Sequence, residues 1–140
     1  MLAAAAMRRP PRIDRGELAA VFAGGFVGAV LRVALLEVVP AGPDEWPWAT
    51  FAVNVAGALL LGLLVARLQE RPASPRYLRS LIGSGFCGAL TTFSTMMLEL
   101  LKMIDGAHYE LAAGYASASV VFGLAAILLS MTLARARAVR

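Results

Sequence analysis

The chain has 140 residues, 59% of them hydrophobic, and a mean hydropathy of +0.72. That is more apolar than a soluble domain, for which about 45–50% is usual, and the length leaves room for a single domain. Thirteen Lys and Arg against nine Asp and Glu give a net charge of +4, but the arginines flank apolar segments. They therefore read as topology determinants, not phosphate contacts, and no nucleic-acid partner is expected. The lone cysteine, Cys87, excludes an intrachain disulfide and stands in no metal-ligand cluster.

Residues 1–17 (MLAAAAMRRPPRIDRGE) read as a cytoplasmic arm. The arginines follow the alanine run and no cleavage site follows an apolar core, so the order of a signal peptide is missing. A single four-helix transmembrane domain is expected over residues 18–133. Its first segment, Leu18–Val39, has 22 residues and would reach about 33 Å as a helix, enough for the hydrocarbon core. Ala20, Gly24 and Gly28 form a small-residue ridge suited to close helix packing. Arg32 lies past the middle of this segment. A charge there faces the protein interior or water, or snorkels to the nearer interface.

The second segment, Ala49–Ala66, follows the Trp46-Pro47-Trp48 belt, whose indoles suit the interface. Asn54 lies within it, with Thr50 one turn earlier on the same face. Such an asparagine is either glue to a neighbouring helix or a hydrogen-bond donor for a permeating species. The third segment, about Tyr77 to Ile104, contains GSGFCGALTTFSTMMLE from Gly83 to Glu99. Glycines and small residues lead into Thr91, Thr92, Ser94 and Thr95. Glycine followed by clustered hydroxyls is the pattern of a broken, ion-handling helix; bonding of the hydroxyls to their own helix is the alternative. Glu99 lies towards the same end of the membrane as Arg32, which makes an Arg32–Glu99 ion pair an expectation. The fourth segment, Leu111–Leu133, carries Tyr115, Ser117 and Ser119 near its start, and residues 134–140 read as a basic cytoplasmic tail. The connections (40–48, 67–76 and 105–110) are too short for a soluble domain. His108, in the last of them, lacks the convergent partners a metal site needs.

Charge placement sets the expected orientation. Arg8, Arg9, Arg12, Arg15, Arg67, Arg71, Arg76, Arg79, Arg135, Arg137 and Arg140 all fall on one side, whereas the other side has Lys102 among Asp44, Glu45, Asp105 and Glu110. By the positive-inside rule both termini are expected in the cytoplasm, with the chain a multi-pass protein of the plasma membrane.

The set GGFVGAVLR (Gly24–Arg32), TFAVNVAGALLLG (Thr50–Gly62) and GFCGALTTFST (Gly85–Thr95) closely resembles the Fluc/CrcB fluoride channels. The resemblance covers the first three segments in order; the fourth matches by position and by Tyr115 and Ser119. It implies an all-α membrane protein of four transmembrane helices, the third broken near its middle, assembled as an antiparallel, dual-orientation dimer with two fluoride pores. It implies a pore formed by Asn54, Thr50, Thr95, Tyr115 and Ser119 as hydrogen-bond donors, with Phe93 and the Met96 position presenting side chains to the ion. It places Arg32 at an aqueous vestibule. A structural sodium ion, not transported, would be held by the backbone carbonyls of Gly88 and Thr91 from both subunits. The implied function is passive efflux of fluoride from the cytoplasm, with no catalytic residue.

Two departures stand out. TTFSTM replaces the family's usual TTFSTF, so Met96 has no aromatic edge to offer. The lopsided Lys/Arg distribution favours one orientation, whereas a dual-orientation homodimer needs a chain that inserts both ways. A heterodimer with an oppositely oriented paralogue is therefore expected alongside the homodimer reading. Three other readings stand beside the channel: a non-conducting or obligate partner subunit, a small four-helix multidrug exporter and a membrane enzyme. The exporter needs a deep membrane carboxylate, and Glu37 and Glu99 are both peripheral. The enzyme lacks a general base near Cys87 and the hydroxyls.

Overall fold

A backbone in hydrocarbon must satisfy its own polar groups, and the apolar segments do so as helices. The computed structural model describes residues 14–70 and 76–138, among which there is no strand. The arm before Asp14, together with Arg71 and Arg140, lies outside these residues. Four helical spans are long and apolar enough to cross a membrane.

Helix α1 (Arg15–Val38) begins earlier than its apolar segment because Asp14 caps it, accepting from the N–H groups of Gly16 at 2.9 Å and Glu17 at 3.4 Å. These bonds, the Gly16 N–H foremost, hold the Asp14 carboxyl below its ordinary range, and the Tyr77 hydroxyl and Arg76 act in the same direction. The cap is thus fully formed at neutral pH and is lost as the pH falls through that lowered value. The same end of α1 is fastened to the start of the third span: Tyr77 donates to Asp14 at 3.2 Å, Ser80 donates to Glu17 at 2.7 Å, and Arg76 lies 4.0 Å from Glu17.

Helix α2 (Trp48–Glu70) is continuous, but the third span is composite. It comprises α3 (Arg76–Arg79), a π-helical stretch (Ser80–Cys87), α4 (Gly88–Leu90) and α5 (Phe93–Asp105). In the π-helical stretch the Gly88 N–H reaches back to the Gly83 carbonyl, the longer ring of that helix type. After α5 the chain turns through Ala107, whose φ of 61° is in the left-handed region, and the His108 N–H closes the turn on the Met103 carbonyl at 2.8 Å. Helix α6 (Tyr109–Ala138) then continues into the stretch expected as a tail, where alternating Ala and Arg favour helix.

Packing divides the molecule into two parts. α1 lies against the π-helical stretch and α4, backbone to backbone. Gly24 and Gly28 are its buried residues, and a Cβ at Gly24 would come within 3.0 Å of the backbone of Leu81 and Phe86. Gly85 faces them from the other side, against Val21 and Gly24. In the second part α2 packs along α6, with Gly62 against the Ser130 hydroxyl, which itself bonds to the Ile127 carbonyl at 2.7 Å. α5 joins this part through Met96 and Met103, which pack with Ala112 and Tyr115 under Trp46 and Phe51. Much of the remaining surface of α1, including Phe22 and Phe26, is exposed and apolar.

The close approach of α1 makes Gly24 intolerant of any side chain. Gly24→Val should lower stability by about 1–3 kcal/mol or more through overpacking. Gly123→Ala, where a Cβ meets nothing within 4 Å, should be neutral or slightly stabilising. Thermal unfolding of the two variants in the same detergent reads the difference.

Candidate functional site

The third span is interrupted where the two parts meet. Leu90 ends α4; Thr91 (φ −75°, ψ 150°) and Thr92 (φ −147°, ψ 118°) are extended; Phe93 begins α5. Two extended residues inside an apolar span leave backbone groups without helical partners, a costly state unless a side chain supplies them. Asn54 does so. Its Oδ1 accepts from the Thr92 N–H at 2.8 Å and its Nδ2 donates to the Thr92 carbonyl at 3.1 Å. One carboxamide therefore pairs both backbone groups of a single residue, as a neighbouring strand would.

The hydroxyl cluster divides its work. Thr91 turns back to its own helix, its Oγ1 donating to the Cys87 carbonyl at 3.0 Å. Thr92 caps α5, accepting from the Thr95 N–H at 3.2 Å, while its own hydroxyl donates to Thr95 Oγ1 at 2.9 Å. Ser94 Oγ lies 3.3 Å from Thr92 Oγ1. These bonds redirect the donors that would close helical turns on two carbonyls. The Thr92 N–H, four residues past Gly88, goes to Asn54, and the Thr95 N–H, four residues past Thr91, goes to the Thr92 hydroxyl. The Gly88 and Thr91 carbonyls thereby lose their ordinary partners.

One turn along α2 from Asn54, Thr50 donates to one oxygen of Glu99 at 2.5 Å, and Tyr115 from α6 donates to the other at 2.8 Å. Thr50 and Tyr115 are both fully buried, and Glu99 is half-buried. Asn54–Thr92 and Thr50–Glu99 make two rungs between α2 and the interrupted span. Ser119 lies one turn beyond Tyr115 on α6; its hydroxyl and the Trp46 indole N–H are buried and find no hydrogen-bond partner among the described residues. The Trp46 and Tyr115 rings meet edge to face with centroids 5.5 Å apart.

Three expectations need correction or refinement. Arg32 is half-buried and forms no ion pair with Glu99, whose two oxygens accept from hydroxyls instead; among the described residues the one ion pair is Arg76–Glu17. Phe93 and Met96, both expected to present side chains to the ion, lie in different surroundings. Phe93 is 72% exposed, whereas Met96 is 8% exposed and packs into the Met103, Ala112 and Tyr115 core. Asn54, expected to be either glue or an ion donor, has one of its two N–H bonds committed to Thr92. The π-helical stretch and the Thr50–Glu99–Tyr115 triad were not anticipated. Thr50 and Asn54 four apart, opposite Thr92 and Glu99 seven apart, are the spacing that announces the two rungs.

This geometry defines a class: a four-span membrane protein whose third span is interrupted and clamped by an asparagine, with a chain of hydroxyls beside it. The family model described as "CrcB-like protein, Camphor Resistance (CrcB)" matches residues 19–131. A protein of Mycolicibacterium paratuberculosis named "Fluoride-specific ion channel FluC 1" is 50% identical over 127 residues, covering 91% of this chain and 96% of that protein. Two proteins of one Streptomyces avermitilis strain are also similar. "Fluoride-specific ion channel FluC 1" is 44% identical over 83% of this chain and 94% of its own length. "Fluoride-specific ion channel FluC 3" is 41% identical over 89% of this chain and 61% of its own length. The chain belongs to the CrcB family.

Thr50 and Tyr115 hold one carboxylate between them, so their removals should not be independent. Thr50→Val and Tyr115→Phe, measured singly and together by thermal or denaturant unfolding, should show a coupling of about 0.5–3 kcal/mol. Asn54→Ala should cost more than either, roughly 1–3 kcal/mol for each backbone group of Thr92 left unsatisfied.

Proposed function

We propose that this chain is a subunit of a fluoride-selective channel that lets fluoride leave the cytoplasm passively. Its family is one of ion channels, not enzymes. The observation that carries the reading is the clamped interruption, with neutral donors gathered beside it and no fixed cation among them. Fluoride is small and strongly hydrated, so a selective path must replace its water with donors while avoiding a charge that would trap it. The second N–H of Asn54 and the hydroxyls of Thr95 and Ser119 are the donors of this kind, and the buried, unpartnered Ser119 hydroxyl supports the assignment. Thr50 and Tyr115 join them by exchanging their bonds to Glu99. Phe93, exposed on the subunit surface, presents a phenyl edge whose positive quadrupole suits an anion. Met96, packed inside the subunit, lines the path only if its side chain leaves the core. Arg32 acts from the vestibule as a field that raises local anion concentration. Efflux follows from the negative-inside membrane potential.

The path would be completed by a second subunit in the opposite orientation, seated on the exposed apolar faces. The strong Lys/Arg asymmetry supports an orientation with both termini in the cytoplasm, and it favours an oppositely oriented paralogue over a second copy of this chain as the partner. The two similarly named S. avermitilis proteins are a precedent for more than one such chain in one organism. A sodium ion fits the residues at the interruption. Sodium is a hard cation that takes oxygen ligands, and the Gly88 and Thr91 carbonyls have lost their helical donors. When bound, the ion would supply fixed positive charge that ties two subunits together, and it would not be transported. A non-conducting partner subunit is the second reading, favoured by the Met at position 96.

The test is fluoride efflux from liposomes, recorded against chloride, with this chain alone and with an oppositely biased paralogue. Fluoride flux without chloride flux is expected; Asn54→Ala should reduce it at least about tenfold, the scale of one lost hydrogen bond to a charged group, and Phe93→Leu should reduce it as well. Chloride flux equal to fluoride flux, or none of either in both preparations, defeats the reading. Cysteine-accessibility mapping in cells expressing this chain alone should find a single orientation. An even mixture of orientations would replace the heterodimer with a homodimer.

A further inference from the structure

A cavity of about 220 Å³ opens between the end of α1, the loop around Pro40 and Pro47, and α5. Its wall is mostly apolar. Its polar residues are Thr95, Glu99 and Lys102, which recur at i, i+4 and i+7 along α5 and so form one stripe. The stripe leads from the interruption, where Thr95 bonds to Thr92, past the hydroxyl-bound Glu99, to Lys102 near the end of α5.

Charge around this opening is otherwise acidic. Glu37, Asp44, Glu45, Asp105 and Glu110 belong to the same end of the molecule, and Lys102 is the cation of the connecting loops and helix ends there. Such a surface repels anions. Lys102 nevertheless stands in the wall of the cavity that reaches the hydroxyl chain, and among the described residues it forms no ion pair. Two carboxylates lie three residues from it on its own helix, Glu99 and Asp105; neither forms an ion pair with it, and Glu99 accepts from Thr50 and Tyr115 instead. An unneutralised cation in an apolar-walled cleft focuses its field into that cleft.

We infer that this cavity is the outer anion vestibule of the subunit, with Lys102 the residue that draws the anion through an acidic surface to the Glu99–Thr95 stripe. The inference rests on the channel reading and adds to it a recruiting residue distinct from Arg32, which does not line the cavity. Lys102 acts on encounter and not on ion recognition, so it sets rate and salt dependence and leaves fluoride-over-chloride selectivity alone.

Fluoride efflux is compared in liposomes whose channels present the Lys102 end to the fluoride-loaded lumen, so that the anion enters by that end, for the wild type, Lys102→Gln, Lys102→Glu and Lys102→Arg, each with whatever partner subunit wild-type flux requires. Ionic strength is set with impermeant salts at about 10 mM and about 1 M, where the screening length falls from roughly 30 Å to 3 Å. At low ionic strength Lys102→Gln should slow efflux about threefold to tenfold, near the lower edge of what focused charge does to encounter rates. Lys102→Glu should slow it further, and Lys102→Arg should match the wild type. At high ionic strength all four should converge. Wild-type efflux from Lys102→Gln at low ionic strength overturns the inference. So does a deficit that persists undiminished in high salt, or one that Lys102→Arg shares, since either marks a packing role. Absence of wild-type flux in every preparation defeats the channel reading itself, and is thereby told apart from failure of Lys102.

Discussion

The arrangement depends on two hydrogen bonds from one side chain. A pair of extended residues inside an apolar span exposes backbone groups that hydrocarbon does not solvate, and each would cost several kcal/mol unmet. Asn54 meets both groups of Thr92 at once. Three consequences follow from that clamp. The N–H that would have bonded to the Gly88 carbonyl is withdrawn from it. Thr92 is held extended, which lets its hydroxyl cap α5 and so withdraw the Thr95 N–H from the Thr91 carbonyl. The registration of α2 against α5 is also fixed, so that Thr50, one turn from Asn54, meets Glu99. An ordinary helix through Thr91 and Thr92 would remove all three.

The interruption also lies where the molecule changes partners. Before it, the third span runs against α1 through glycine backbones, with no side chain between Gly24, Gly28 and Gly85 and the segments they face. After it, α5 joins α2 and α6 through Met96, Met103 and Tyr115. The first contact is backbone on backbone and the second is side chain on side chain. They set different interhelical distances, and one straight helix would satisfy both poorly. The wide π-helical turn and the two extended residues take up that difference. Gly57, beneath the Thr91 methyl group, leaves room for the change of direction.

Much of the fold was legible in the chain. Four apolar segments of membrane length set the helix count, and Gly24 and Gly28 showed which face of α1 packs closely. The site was legible by residue type and less so by partner. Asn54 was marked out as a polar residue in an apolar span, but its partner is the backbone of Thr92, and any residue has a backbone. Arg32 and Glu99 share an end of the membrane, and charge alone pairs them. Two buried hydroxyls from helices far apart in sequence reach the carboxylate instead. Periodicity places Phe93 and Met96 about 60° apart on a helix. Whether such a pair shares a surface depends on where the packing boundary falls, and here it falls between them. The helix ends shifted for local reasons: Asp14 extends α1 as its cap, and the Ala–Arg alternation prolongs α6.

A carboxylate beside the proposed anion path is at first sight a contradiction. Two donated hydrogen bonds resolve it in this structure, because hydroxyls of Thr50 and Tyr115 direct positive ends of their dipoles at Glu99 and spread its charge over three side chains. The same carboxylate keeps those hydroxyls oriented and buried instead of letting them bond back to their own helices. An anion that approaches this group therefore meets oriented dipoles rather than a bare charge. To take those hydrogen bonds it would have to displace Glu99, whose carboxylate must then find water or other donors, because an unsatisfied buried charge is costly. An exchange of this kind favours an ion small enough to enter between the hydroxyls. A larger ion would have to part α5 from α6, and the buried Met96, Met103 and Ala112 hold those helices together.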